Sequence, residues 1–286
     1  MPRHSTKQHE LDWGRSDIEQ RLFMTGGRFT QVNTLVSGIV AGGLTVGFFM
    51  LLGTTKLADT TFGRILMERG WTQHACVLLT FWSLTILVVK WLKLGLQRRA
   101  LNLRLLPPEP GFVISASTVD DVLRHIREMV DDPRHFVLLN RIDVALANLR
   151  NLGRVGDVDE ILRSQASQDE SQLETSYAVV QGFVWAIPVL GFIGTVQGLS
   201  AAIGSFSGVL ESQEGVSTLT AALKKVTMGL NTAFDTTLVA LVAALGIQLL
   251  MVLLKKSEQE FLDQATEHCI RNIVGRLRME TAAEDA

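Results

Sequence analysis

An uncharged stretch of 36 residues, from Thr175 to Leu210, constrains this chain most strongly. It contains the segment Pro188-Val-Leu-Gly-Phe-Ile-Gly-Thr-Val-Gln-Gly198, in which glycines surround a single threonine. A helix needs about 20 apolar residues to cross the roughly 30 Å of hydrocarbon in a bilayer. The stretch therefore predicts a membrane-spanning helix that carries a polar group in its apolar interior.

Three other windows are also long and apolar enough to cross a membrane, so the sequence predicts four spans. A mean hydropathy of +0.24 with 20% charged residues agrees with a chain whose main solvent is lipid. We therefore expect an all-α polytopic membrane protein with four transmembrane helices and a helical cytoplasmic region. The four windows are Phe29 to Thr55, Gly70 to Val89, Thr175 to Leu210 and Val226 to Leu254.

Positive charge flanks the predicted spans unevenly, and this bias predicts their orientation. Lysine and arginine cluster in the tail before the first span and in the stretch after the second, and they are sparse in the first loop. Because cytoplasmic flanks carry the excess of such residues, we expect both termini on the cytoplasmic side of a bacterial inner membrane. Lys224 and Lys225 then enter the fourth span from outside and are expected to snorkel to the interface. The clustered residues are Arg3, Lys7, Arg15, Arg21, Arg28, Lys90, Lys93, Arg98, Arg99 and Arg104.

The spans divide the chain into five predicted parts. The first span follows 28 polar residues, which is unlike a signal peptide, so we expect it to be retained. Helical spacing of apolar residues on both flanks predicts that the third and fourth spans extend into the cytoplasm as long helices. The parts are a cytoplasmic N-terminal tail (1–28), the first two spans with a short periplasmic loop (29–93), a helical cytoplasmic segment (94–174), the last two spans (175–254), and a C-terminal helix and tail (255–286).

The cytoplasmic segment is predicted to contain several helices. Its opening run, Pro107-Pro108-Glu109-Pro110-Gly111, should break any helix that continues from the second span. Thr118 with Asp121 can cap the next helix, which the Asp132-Pro133 pair should end. The apolar stripes of these helices favour ordinary packing over a dedicated groove for a partner.

The sequence contains no set of residues that is typical of an enzyme active site. The chain has no Walker A loop, dinucleotide fingerprint, HExxH motif or GxSxG motif. The two cysteines, Cys76 and Cys269, suggest no disulfide framework, and the six histidines are scattered. We expect no enzyme activity, no cofactor and no metal site. A net charge of −2 gives no electrostatic support for a nucleic-acid partner.

The third span carries a face of small residues around one hydroxyl. Helical periodicity brings residues three or four apart to the same face. Gly194 and Gly198 also have the small-xxx-small spacing that lets helices approach closely. These glycines can serve packing alone, and the Thr195 hydroxyl can bond to its own helix backbone. The residues of the small face are Pro188, Gly191, Thr195, Gly198 and Ala202.

Five polar side chains lie within about two turns of the fourth span. At about 100° per residue, Asp235 shares a face with Asn231 and Thr232, whereas Thr237 lies nearly opposite. An acid that faced lipid would cost several kcal/mol, so both faces should meet protein or a water-filled lumen. An oligomer supplies both surfaces. The polar residues are Asn231, Thr232, Asp235, Thr236 and Thr237.

Two motifs, in this order and separation, resemble the MotA/TolQ/ExbB proton-channel family. The penultimate span has Pro188-x-Leu-Gly-x-x-Gly-Thr-Val-x-Gly198, and the last span has Gly229-Leu-Asn-Thr-Ala-Phe-Asp-Thr-Thr-Leu-Val-Ala-Leu241. The resemblance covers about residues 175 to 255. It implies that these residues form a pore domain in which Thr195 and Thr237 are the pore threonines.

Departures from the family's pattern leave alternatives open. ExbB and TolQ usually carry a glutamate where this chain has Thr232, so Asp235, one turn later, either replaces it or makes a different contact. ExbB and TolQ also have three spans, whereas four spans with both ends inside resemble MotA. MotA's final span commonly has a proline, which this one lacks. The chain thus combines a MotA-like topology with ExbB/TolQ-like pore motifs.

The resemblance also implies an assembly. A homo-pentamer in the lipid bilayer would surround two helices of a single-span partner of the ExbD/TolR/MotB kind, each with an intramembrane aspartate. The small face around Pro188 and Gly191 would leave room for those helices. The residues assigned to the ion pathway are Thr195, Thr232, Asp235, Thr236 and Thr237, and those assigned to pore-helix packing are Pro188, Gly191, Gly194 and Gly198.

The leading hypothesis is therefore an ion-channel subunit that converts ion motive force into mechanical work for transport or envelope maintenance. Protons are favoured, and sodium is left open. A MotA-like flagellar stator subunit is one alternative. Another is a membrane scaffold that does not conduct but oligomerises and recruits cytoplasmic partners. A secondary transporter is less favoured, because the four spans have no obvious internal repeat.

Overall fold

The computed structural model describes residues 11, 13, 27–55, 60–67, 70–103, 105, 113–115, 117–152, 155–211 and 216–277. Within them the chain forms eight α-helices and no β-strand, so the predicted all-α class is confirmed. Most of the N-terminal tail, the Pro107 to Gly111 run and the C-terminal end lie outside the described residues. The helices are α1 (Thr34–Thr54), α2 (Thr61–Met67), α3 (Trp71–Ala100), α4 (Val119–Met129), α5 (Val137–Leu152), α6 (Val155–Ser176), α7 (Ala178–Glu211) and α8 (Val216–Asn272).

In the described part of the chain, four stretches of helix are long and apolar enough to cross a membrane, which agrees with the predicted four spans. Only 22–33% of the residues in their most apolar windows are buried within the chain. Most of the apolar surface is therefore open to lipid or to another subunit. The stretches are Thr34–Thr54, Trp71–Ala100, Gly156–Gly204 and Ala222–Arg276.

The two long helices at the end of the chain differ in continuity. The sequence predicts one helix from Asp157 into the third span, but Tyr177 forms a turn between α6 and α7. The Ser176 hydroxyl donates to the Leu173 carbonyl at 2.6 Å, where it competes with the helix backbone for that acceptor. By contrast, α8 runs through the predicted fourth span and onward as one helix of 57 residues.

The chain divides into two compact units. The unit we call the charged unit is drawn from Met1–Asn33, Val89–Ser176 and Leu254–Ala286. The unit we call the membrane unit is drawn from Thr34–Val88 and Tyr177–Leu253, and it holds the apolar helices and the two motifs.

The charged unit is built around α5, which is buried on most sides. Leu138, Leu139, Ile142 and Leu146 are fully enclosed, among residues of α4, α6 and the end of α8. Burial of one such side chain stabilises the fold by about 1.5–3 kcal/mol. Because this apolar core is continuous, the helices of the charged unit pack mainly against one another.

The start of α4 differs in detail from the prediction. The helix does begin directly after Thr118, but the Thr118 side chain makes no capping hydrogen bond. Its hydroxyl donates to the Val113 carbonyl at 3.0 Å and accepts from the Ser115 amide at 3.0 Å. The predicted side-chain cap is therefore wrong, because the turn before the helix uses the hydroxyl.

Trp82 joins three helices in the membrane unit. Its indole nitrogen donates to the Ser37 hydroxyl of α1 at 3.1 Å. Gly38 lets the ring lie against the α1 backbone, since a Cβ there would come within 2.7 Å of the ring. The ring also lies 5.0 Å from that of Phe183 on α7. Ser37 and Gly38 thus position the first span against the side chain of Trp82.

Candidate ion-pathway site

α7 and α8 approach to backbone contact where small residues face each other. A Cβ on Gly191 would lie 2.5 Å from the Cβ of Ala240, and one on Gly198 would lie 2.9 Å from the Gly229 carbonyl oxygen. Separations below 3 Å leave no space for a side chain, so glycine is required at both positions. The small face of the third span therefore packs against the fourth span.

This contact corrects one expectation taken from the resemblance. The small face around Pro188 and Gly191 is expected to leave room for partner helices, but α8 of the same chain occupies it at Gly191. Pro188 lies half-buried one turn earlier inside α7. The physical reason is that α8 carries small residues of its own, so the two backbones can close on each other.

Thr195 and Thr237, the predicted pore threonines, meet in this interface. Their two hydroxyl oxygens are in direct hydrogen-bond contact. The Thr195 hydroxyl lies 3.2 Å from the carbonyl oxygens of both Gly191 and Ala233. The Thr237 hydroxyl lies 3.3 Å and 3.2 Å from the same two oxygens. Four oxygen atoms from two helices thus converge at one place, which we call the threonine pair.

The threonine pair has fewer protons than acceptors. Each hydroxyl has one O–H donor and two lone pairs, so the two donors cannot saturate the oxygens around them. Lone pairs remain available however the protons are arranged. Both side chains are half-buried rather than enclosed. The pair can therefore accept a hydrogen bond from water or coordinate a cation through oxygen, and it brings no charge of its own.

Asp235 lies on a different face of α8 and is held by its own helix. The Asn231 amide nitrogen donates to the Asp235 carboxylate at 3.1 Å, one turn apart. The carboxylate is half-buried in the single chain. It therefore supplies a negative charge within the apolar part of α8, separate from the threonine pair.

The other two threonines assigned to the ion pathway take two further positions. The Thr232 hydroxyl donates to the Met228 carbonyl of the preceding turn at 2.9 Å. Thr236 is 1% exposed and donates to the Ala233 carbonyl at 3.0 Å. Its oxygen lies 2.9 Å from where a Cβ on Gly194 would be. The five assigned residues thus occupy different positions. Thr195 and Thr237 form the threonine pair, and Asp235 supplies the carboxylate. Thr232 bonds to the α8 backbone, and Thr236 is buried at Gly194.

The charged unit contains buried ions that sequence reasoning did not identify. Lys90 Nζ lies 3.3 Å from Glu258 Oε1, both side chains being 1% exposed, and it donates to the Ser176 hydroxyl at 2.9 Å. Lys93 Nζ donates to the Gln31 carbonyl at 2.8 Å. In the sequence, both lysines look like ordinary positive charges that flank a span, because their partners Glu258 and Gln31 are far from them along the chain.

A second buried ion pair lies in the same unit. Arg141 Nε donates to Asp169 Oδ2 at 2.6 Å, and its Nη1 donates to the Thr266 hydroxyl at 2.8 Å. Asp169 and Glu258 also line a cavity of about 30 Å³, which is large enough for one or two water molecules. No group of three His, Cys, Asp or Glu side chains is placed to hold a metal ion in the described part of the chain.

The described residues include four helices able to cross a membrane, and the last two are joined by glycine contacts and a hydroxyl pair. These features define a multi-pass membrane protein with a polar site in its final spans. Residues 137–267 match the model of the MotA/TolQ/ExbB proton channel family, to which this region is similar. The match confirms the resemblance carried by the two motifs and extends it to α5 and α6. The chain is thus a proton-channel-like membrane subunit. No curated protein and no solved structure gives a match.

Proposed function

We propose that this chain is the ion-channel subunit of a bacterial inner-membrane motor complex. It passes ions, protons in the first place, and converts ion motive force into mechanical work through a single-span partner, for transport or envelope maintenance. Each charge that crosses releases about 2.3 kcal/mol per 100 mV. We assign no enzymatic step and no cofactor to the chain.

The threonine pair is the observation that carries this proposal. It gathers four oxygens, from Thr195, Thr237, Gly191 and Ala233, between two apolar helices that are able to cross a membrane. A proton can step along hydroxyls and water at such a place, and a cation can bind there through oxygen. The Asp235 carboxylate on the same helix adds the charge that would attract a cation.

The exposed surface of the last two spans supports an oligomer. Large apolar side chains on both helices are exposed in the single chain, and Asp235 of α8 is only half-buried. A homo-pentamer would cover these faces and keep the carboxylate away from lipid. The intramembrane aspartates of two central partner helices would then lie near the threonine pairs. The exposed residues include Val189, Phe192, Val196, Leu199, Leu230, Phe234, Leu238 and Leu241.

The distribution of charge supports the orientation. The lysines and arginines that follow the second span belong to the charged unit, together with the end of α8. Cytoplasmic flanks carry this excess. We therefore place the charged unit and both termini in the cytoplasm.

The experiment that tests the proposal is an ion-flux assay in proteoliposomes. The chain is co-expressed with a single-span partner of the ExbD/TolR/MotB kind, purified as the complex, and compared under proton and sodium gradients. Thr237→Val keeps the shape of the side chain and removes one hydroxyl of the pair. We expect flux that requires the partner, identifies the ion, and falls by at least tenfold in the variant.

Thr85→Val is the matched control. Thr85 lies in α3, and its hydroxyl donates only to the Phe81 carbonyl one turn back. We expect wild-type flux from this variant. An intact complex that gives no flux, or equal flux from Thr237→Val and Thr85→Val, would contradict the proposal and favour a scaffold that only oligomerises.

A further inference from the structure

Two polar side chains at the start of α3 are buried without partners. Thr72 is 1% exposed and Gln73 is fully buried. The Thr72 hydroxyl and both polar atoms of the Gln73 amide have no hydrogen-bond partner among the described residues. Buried polar groups in proteins are nearly always satisfied, by protein or by ordered water. These three atoms therefore indicate a binding site for a small polar ligand.

Gly194 is the point at which this site meets the last two spans. A Cβ on Gly194 would lie 3.1 Å from the Thr72 hydroxyl oxygen and 2.9 Å from that of Thr236. The glycine thus lets hydroxyls from α3 and α8 approach the same part of α7. Thr236 donates its own proton to the Ala233 carbonyl, so its lone pairs point to an acceptor role.

We propose that Thr72, Gln73 and Thr236 hold ordered water inside the subunit, beside Gly194. Water fits these groups better than a cation does, because the Gln73 amide requires both an acceptor and a donor. Gly194 and Thr236 directly adjoin Thr195 and Thr237 in the sequence. The water site therefore lies at the same depth as the threonine pair, on another side of the two helices, and it gives α3 a polar contact with the last two spans.

Cys76 provides a built-in probe of this water. It lies one helical turn after Thr72 on the same face of α3, a spacing that places side chains about 5–6 Å apart. Cys76 is 2% exposed, and Cys269, in the apolar core of the charged unit, is also 2% exposed. Thiols react fastest with hydroxyl radicals generated from nearby water. Cys269 is a reference thiol of equal burial in the charged unit, and the comparison of Thr72→Val with Thr72→Ser isolates the contribution of water beside Thr72.

The test is radiolytic hydroxyl-radical labelling of the full-length protein in lipid nanodiscs, read by mass spectrometry at the two cysteines. We expect Thr72→Val to reduce oxidation of Cys76 several-fold and to leave oxidation of Cys269 unchanged. Thr72→Ser, which keeps the hydroxyl, should change neither rate. Gln73→Leu serves as a second variant if Thr72→Val does not fold.

Thermal unfolding of the same variants gives an independent readout. If water satisfies these groups, Thr72→Val removes a partner of that water and lowers Tm by a few degrees. Oxidation of Cys76 that is unchanged in Thr72→Val, or a Tm that rises in this variant, would overturn the proposal. Either result would mean that the site is dry and that the variant removed an unsatisfied hydroxyl. A sodium-dependent Tm that Thr72→Val abolishes would also overturn it, in favour of a bound cation. None of these measurements depends on ion flux.

Discussion

Among the described residues, the buried polar side chains of the charged unit include two ion pairs, whereas those of the membrane unit are uncharged hydroxyls and one amide. Arg141 with Asp169 and Lys90 with Glu258 are almost completely enclosed. The membrane unit instead brings together Thr195 and Thr237, and buries Thr236.

The difference shows how each unit is held together. The charged unit closes around a continuous apolar core, so a buried charge there depends on its partner for stability. The membrane unit leaves most of its apolar surface outside and joins its helices through glycine contacts. Removing one hydroxyl there costs little stability, which leaves such groups available for function.

The largest stability effect is expected in the charged unit. Arg141→Met leaves the Asp169 carboxylate buried without its partner, and we expect a loss of about 3–5 kcal/mol in the free energy of unfolding. Arg163→Met is the matched control, because its ion pair with Asp159 is exposed and should contribute less than about 1 kcal/mol. Denaturant unfolding of the two variants measures the difference.

Alkylation of Cys269 reports the same change locally. Burial raises the pKa of this thiol to about 11, so it stays protonated at neutral pH and reacts slowly. Arg141→Met should accelerate alkylation by loosening the surrounding core. Slow alkylation in both variants, with equal unfolding midpoints, would show that the buried pair does not stabilise the unit.

An intermediate effect is expected where α7 and α8 touch. Gly191→Ala places a methyl group 2.5 Å from the Cβ of Ala240, and overpacking of this kind costs about 1–3 kcal/mol. Gly246→Ala in α8 meets nothing within 4 Å and should be neutral or slightly stabilising. Thermal unfolding in nanodiscs compares the two. A neutral Gly191→Ala would mean that the helices are farther apart than the structure has them.

The smallest stability effect is expected at the threonine pair. Thr195→Val should lower stability by only about 0.6 kcal/mol, the average for side-chain hydrogen bonds between membrane helices. Thermal unfolding of the intact complex checks this value. A loss as large as that of Arg141→Met would show that the pair serves mainly to hold the helices together.

The sequence was informative where a residue's own chemistry carried the signal. The four apolar windows predicted the spans, and the glycine pattern, the acid inside an apolar run and the family resemblance singled out Thr195, Thr237 and Asp235. The contact between the two threonines required the relative register of α7 and α8, which periodicity within one helix does not specify. Thr236 and Thr237 are neighbours in the helix and point in different directions. The packing of α8 against α7 brings Thr236, and not Thr237, beside Gly194.

Other features were hidden because their partners are distant in the chain. Lys90 and Glu258 are 168 positions apart, and nothing in either local sequence predicts that they pair. Thr72 and Gln73 begin an apolar run, where two polar residues look like the edge of a span rather than part of a buried site. Their burial becomes apparent only from the packing of α3, α7 and α8.

The most direct test of the account is a double-mutant cycle in ion flux. Thr195→Val, Thr237→Val and the double variant are compared with wild type in the complex with its partner. If the two hydroxyls act as one site, each single variant loses most of the flux and the double variant loses little more. Losses that multiply independently, or flux that stays at the wild-type level in all three, would contradict the central claim that the threonine pair is the ion-pathway site.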